Sequence, residues 1–155
     1  MTTRSGVTLY PTRPIRFHLQ APGLRAVGVT GSGTFESSKP LDLRRFDIDV
    51  VGSGEAHIKQ LKAEQLTVDI SGSGRVNLKG DVERQEVDIS GSGDYRAKEL
   101  RSKRARLSIS GSGNAEVHVT EQLAVDVSGS GDVRFRGDPD LSSHISGSGT
   151  VRSTD

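Results

Sequence analysis

The sequence contains no cysteine and no tryptophan. Without Cys there can be no disulfide, thiolate nucleophile or Cys-based zinc site, and the absence fits an oxidising or a reducing compartment equally well. Aromatic residues make up 4% of the chain and hydrophobic residues 32%, which argues against a thick globular core. No run approaches the roughly 18 consecutive apolar residues that cross a bilayer. Net charge is also scarce, since 21 basic against 20 acidic residues leave +1. That balance excludes the basic footprint of a nucleic-acid binder and a polybasic membrane patch. A length of 155 residues suits one domain. The opening Met-Thr-Thr-Arg-Ser-Gly lacks the apolar core of a secretory signal. The expectation is therefore a protein that stays inside the cell, or a trimmed form of an exported one.

Glycine, in contrast, is plentiful and periodic. Gly-Ser-Gly begins at Gly31, Gly52, Gly72, Gly91, Gly111, Gly129 and Gly147, at intervals of 21, 20, 19, 20, 18 and 18 residues. These tripeptides, closed by Gly33, Gly54, Gly74, Gly93, Gly113, Gly131 and Gly149, hold 14 of the 19 glycines. Apolar and polar residues alternate before each tripeptide, as in Phe46, Ile48, Val50 and Leu66, Val68, Ile70. The alternation resumes after it, as in Val76 and Leu78 or Val133 and Phe135. Period-2 patterning rich in β-branched residues predicts half-buried strands, and helical spacing is nowhere sustained.

The recurrence predicts an all-β, single-domain parallel β-helix (a β-solenoid) of about seven short coils, one for each Gly-Ser-Gly. Stacked coils put Gly on Gly and Ile on Ile, which accounts for one motif at nearly fixed spacing. A meander with Gly-Ser-Gly hairpins needs no such uniformity. At about 4.8 Å per coil the rod is on the order of 30 Å long. Parity from Ile70 to Val76 places Gly72 and Gly74 inward and Ser71, Ser73 and Arg75 outward. The glycines then form one corner, and a second falls in the variable stretch, at Lys79-Gly80-Asp81 or Arg136-Gly137-Asp138-Pro139. Residues 1–24, with Pro11, Pro14 and Pro22 around a predicted strand from Ile15 to Leu19, read as an N-terminal cap or degenerate first coil, and 25–155 as the repeat domain. No C-terminal cap follows the last tripeptide. A bare coil end is a row of unpaired backbone groups, which points to truncation, to end-to-end association as a homo-oligomer through coil ends, or to a missing partner.

The pattern apolar-x-apolar-Asp-Ile-Ser-Gly-Ser-Gly-x-Val-x-Leu resembles the bacterial head GIN domain family, thought of as autotransporter adhesin heads. It is fullest in Leu66–Gly80, Val87–Gly93, Leu107–Gly113 and Leu123–Gly137, and extends over about 25–155. The resemblance implies a right-handed parallel β-helix of the cell envelope, in the periplasm or at the surface. It carries no catalytic residues and no cofactor.

Several outward positions are candidate sites. Asp49, Asp69 and Asp88, followed by Ser108, Asp126 and His144, would stack into a carboxylate ladder. Such a ladder is a weak candidate for a calcium ion, which prefers clustered oxygens. The plainer alternative is a solvated ladder relieved by bases such as Arg75. The serines Ser71, Ser90, Ser110 and Ser128 would align beside Ser73, Ser92, Ser112 and Ser130, forming a flat hydroxyl strip suited to a glycan, to ice or to another flat surface. The plainer alternative here is that Ser is a compact corner residue capping nearby backbone. His18, His57, His118 and His144 occupy different repeat positions, so a shared metal site is not expected. The residue after each tripeptide (Thr34, Glu55, Arg75, Asp94, Asn114, Asp132, Thr150) is too mixed for calcium-binding nonapeptides. Phosphate-loop motifs are absent as well.

The leading expectation is a non-catalytic structural or adhesive module, with a glycan or a surface protein as partner, and no nucleic acid or membrane span. Two alternatives are a polysaccharide lyase-like β-helix enzyme and a self-assembling intracellular scaffold.

Overall fold

The computed structural model describes residues 24–155 and the two-residue strand β1 (Thr8–Leu9). The strand expected at Ile15–Leu19, and most of the segment read as a cap, lie outside the described residues. Beyond β1 come β2 (Ala26–Gly31), β3 (Thr34–Ser37), β4 (Leu41–Gly52), β5 (Glu55–Gly72), β6 (Arg75–Gly91), β7 (Asp94–Gly111), β8 (Asn114–Gly129), β9 (Asp132–Arg136), β10 (Asp140–Gly147) and β11 (Thr150–Ser153). Every pairing among them is parallel, and the main ladder runs β1-β2-β4-β5-β6-β7-β8-β9-β11. Parallel neighbours in chain order exclude a hairpin meander. The chain is a β-solenoid of about seven turns.

Register follows the repeat. Gly31, Gly52, Gly72, Gly91, Gly111, Gly129 and Gly147 lie one over another, and so do Ile48, Val68, Val87, Leu107 and Val125. Each coil contributes only a thin slice of core. The slices join into one continuous apolar column from Leu24 to Phe135.

The Gly-Ser-Gly corner differs in one respect from the parity expectation. Gly74 is buried, but Gly72 is exposed together with Ser71 and Ser73. Gly72 has φ +115°, a conformation that turns the chain and interrupts the strand alternation. Inward-outward alternation stops for three residues and resumes at Gly74. The two glycines are therefore needed for different reasons. A Cβ on Gly72 would fall 2.6 Å from the Gly52 carbonyl oxygen, whereas one on Gly74 would overlap a Val50 methyl group.

The variable stretch holds two corners, not one. In the turn through β5, inward residues fall into three runs: Ala56 and Ile58, then Leu61 and Ala63, then Leu66, Val68 and Ile70. Lys59-Gln60 and Glu64-Gln65, both exposed, separate the runs, so each coil has three sides. The short middle side absorbs the differences in repeat length. Register shifts occur there, between Ile58 and Leu61 and between Ala97 and Arg101. In the shorter coil of β6, Gly80 (φ +135°) stands opposite Leu61 and Leu100.

Two polar side chains are buried with the apolar column, Gln85 and Ser102. They belong to a relay in which Tyr95 Oη donates to Gln85 Oε1 (2.7 Å), Gln85 Nε2 donates to Ser102 Oγ (2.7 Å), and Ser102 Oγ donates to the His118 carbonyl (3.0 Å). Every member has a partner, as a dry interior requires. At the other extreme, β10 is exposed along its whole length. Leu141 and Ile145 continue the inward columns above Leu123 and Val127, yet they are 41% and 38% exposed because no described coil lies over them.

Candidate functional site

The outward residues of the three sides form columns running along the rod. On the side that follows Gly-Ser-Gly, the first column is Thr34, Glu55, Arg75, Asp94, Asn114, Asp132 and Thr150. The second is Glu36, His57, Asn77, Arg96, Glu116, Arg134 and Arg152. Their polar groups are largely bonded to each other. Arg75 Nη1 donates to Glu55 Oε1 at 3.1 Å, with its Nε 3.7 Å from Asp94. Asn114 Nδ2 donates to Asp94 Oδ1 at 3.1 Å, and His57 lies between Glu55 (3.0 Å) and Asn77 (3.2 Å). A third tier pairs Lys59 with Glu36 and Lys79 with Glu99, at 3.0 and 2.8 Å. The Lys79 hydrogen bond holds the Glu99 carboxyl below its ordinary range. Most polar groups on this side therefore have partners within it, although Arg75 Nε is buried without a hydrogen bond, and mixed charge down each column also discourages edge-to-edge aggregation.

The side that precedes Gly-Ser-Gly differs. Asp49, Asp69, Asp88, Ser108, Asp126 and His144 do stack in register. Arg75 does not relieve them, because it lies on the following side with Glu55 and Asp94. Burial pushes the Asp69 carboxyl above its ordinary pKa, and Asp49, Asp88, Glu86 and Asp47 raise it further. Among the described residues no cluster of three or more His, Asp or Glu has a metal-holding arrangement. The ladder is an acidic strip, with no chelate geometry in it.

The serines align as expected. Ser71, Ser90, Ser110, Ser128 and Ser146 are in register and exposed. Beside them the backbone N–H of Ser73, Ser92, Ser112 and Ser130 donates to the first glycine carbonyl one coil back, each at 2.8 Å. It is the serine backbone that joins the coils at the corner, and among the described residues no serine side chain caps it. The third corner, missed in the sequence, places Arg84 and Arg104 in one column with Gln65 and Gln122. Adjacent exposed pairs such as Glu83-Arg84 and Lys103-Arg104 were the available signal for it.

Fold and columns together define a parallel β-solenoid repeat module. A family model described as "Putative auto-transporter adhesin, head GIN domain" matches residues 3–139, and the chain belongs to that family. Solved structures agree. A "putative adhesin" from Bacteroides fragilis is 27% identical with a TM-score of 0.78, over 84% of this chain and 60% of that one. Another from Parabacteroides distasonis is 28% identical with a TM-score of 0.74, over 84% and 64%. A "putative lipid binding protein" from the same species is 28% identical with a TM-score of 0.72, over 85% and 62%. The chain thus spans about three fifths of the length of these relatives. No curated protein matches it.

Proposed function

We propose that the chain is a non-catalytic adhesive module of the bacterial cell envelope, a stiff rod that grips a repeating surface through many weak contacts. The observation that carries this reading is the in-register serine column, which presents the same outward hydroxyl once per coil at Ser71, Ser90, Ser110 and Ser128. A spacing of about 4.8 Å between coils suits a partner that also repeats, and multivalent contact converts weak single interactions into firm attachment. Membership of the family described as "Putative auto-transporter adhesin, head GIN domain" and likeness to the Bacteroides fragilis "putative adhesin" support the same reading.

The test has two parts. Cell fractionation with added protease should find the native product accessible in the envelope. Purified protein immobilised on beads should retain bacterial or host cells, and free protein should compete them off. Cytosolic recovery with no retention of cells would end the adhesive reading.

A further inference from the structure

A groove of about 450 Å³ crosses the middle of the rod along the third corner. One wall is the column carrying Arg84 and Arg104, and the other carries Arg106. Ala124, next after Arg106 in its column, keeps that wall low.

We infer that this groove binds an acidic polysaccharide, whose carboxylates are taken by Arg84, Arg104 and Arg106. The inference rests on the adhesive reading and names its ligand class. Arg84 and Arg104 stand directly opposite each other in adjacent coils, a like-charge contact that destabilises a sheet. Little within the described residues offsets it. Arg84 has no ion pair, and Arg104 and Arg106 reach Glu121 and Asp126 only at 3.6 and 3.9 Å, in water. Exposed pairs of that length hold little energy. Among the described residues none of the three guanidiniums makes a hydrogen bond, in contrast to Arg75 Nη1 on the following side. Their planar forks are free to take carboxylates in the bidentate manner that suits arginine.

The rest of the lining selects among polyanions. Gln65 and Gln122 flank the arginines with amide groups matched to sugar hydroxyls. Glu86 and Asp140 also line the groove, so dense polyanions such as nucleic acid meet repulsion, while a chain with spaced carboxylates can avoid them. A membrane surface fits less well, because Leu66, Ala105 and Leu123 in the groove are buried and the exposed walls offer no large apolar side chain to insert. Arg84 and Arg104 are about 4.8 Å apart along the rod, and Arg104 and Arg106 about 6.7 Å along the strand, distances on the scale of one sugar residue.

The experiment measures binding of the whole chain to immobilised polygalacturonate, to neutral dextran, and to phosphatidylcholine vesicles with and without phosphatidylglycerol. R84Q/R104Q is compared with R134Q/R152Q, which removes the same charge on another side, and thermal unfolding checks that both fold. The expected result is salt-sensitive binding to polygalacturonate but not dextran, at least tenfold weaker in R84Q/R104Q and unchanged in R134Q/R152Q. Equal loss in both variants, no binding by the parent chain, or binding to anionic vesicles alone would overturn the inference. The two readings separate in the cell-retention assay. Retention unaltered by R84Q/R104Q removes the groove and leaves the adhesive reading. Polygalacturonate binding without cell retention does the reverse.

Discussion

The Tyr95 hydroxyl donates a 2.7 Å hydrogen bond to Gln85 Oε1 in the interior of the rod, where neither group reaches water. Burial pushes the Tyr95 phenol above its ordinary pKa, so it stays a neutral donor. Tyr95→Phe leaves the Gln85 carbonyl oxygen dry and unpaired, and should cost about 1–3 kcal/mol. Pairing it with Gln85→Met removes the orphaned acceptor, and Ser102 still donates to the His118 carbonyl. Urea unfolding of the two single variants and the double should give a double that is more stable than the sum of the singles predicts.

The corner glycines should fail differently from the serine between them. Gly74→Val drives a side chain against Val50 and the Gly54 carbonyl, and should destabilise by about 3 kcal/mol or more through overpacking. Gly72→Ala meets backbone strain at φ +115°, of about 1–3 kcal/mol. Ser73→Ala keeps the backbone N–H that bonds Gly52, and should stay within about 0.5 kcal/mol of the parent. Thermal unfolding ranks all three.

Position within the repeat does not by itself decide the effect of a mutation. Ile109 and Ile145 occupy equivalent repeat positions, but Ile109 is 1% exposed and Ile145 38%. Ile109→Ala should cost about 2–5 kcal/mol by opening a cavity, and Ile145→Ala less than about 1 kcal/mol. Amide exchange should likewise be faster in β10 and β11 than in β6 and β7, since only the latter have described coils on both sides.

The Asp ladder gives a dependence on pH. The Asp69 carboxyl is raised in the folded rod, so the folded state holds that proton more tightly than the unfolded chain. Stability at this site is therefore full below the ordinary carboxylate pKa and falls as pH rises through the raised value. Asp69→Asn should stabilise the protein at neutral pH by about 0.5 kcal/mol after solvent screening. The gain should vanish near about pH 3, where the carboxyl is protonated in both states, and should shrink with added salt. Denaturant titrations at several pH values and salt concentrations measure it.

Much of this architecture is legible in the chain because a solenoid reads the same rule once per coil. The spacing from Gly72 to Gly91 to Gly111 is the coil length, and period-2 alternation names the inward set that the structure buries. The columns Asp49-Asp69-Asp88 and Ser71-Ser90-Ser110 follow from that register alone. The charged columns on the following side could be named in the same way, though not their bonding, which depends on how far Arg75 or His57 reaches between coils.

What the sequence by itself determined was therefore the repeat, its parity and the order of residues down each column, since these are properties of spacing. The tertiary structure decided what spacing cannot express. Positive φ at Gly72 turned an inward-parity residue out to solvent, because parity counts residues and cannot register a change in the direction of the chain. Two exposed residues in succession, as at Glu83-Arg84, made a third corner and brought Arg84 against Arg104. Burial itself came from the next coil, so Ile109 is core while Ile145, its counterpart in the repeat, stands in water.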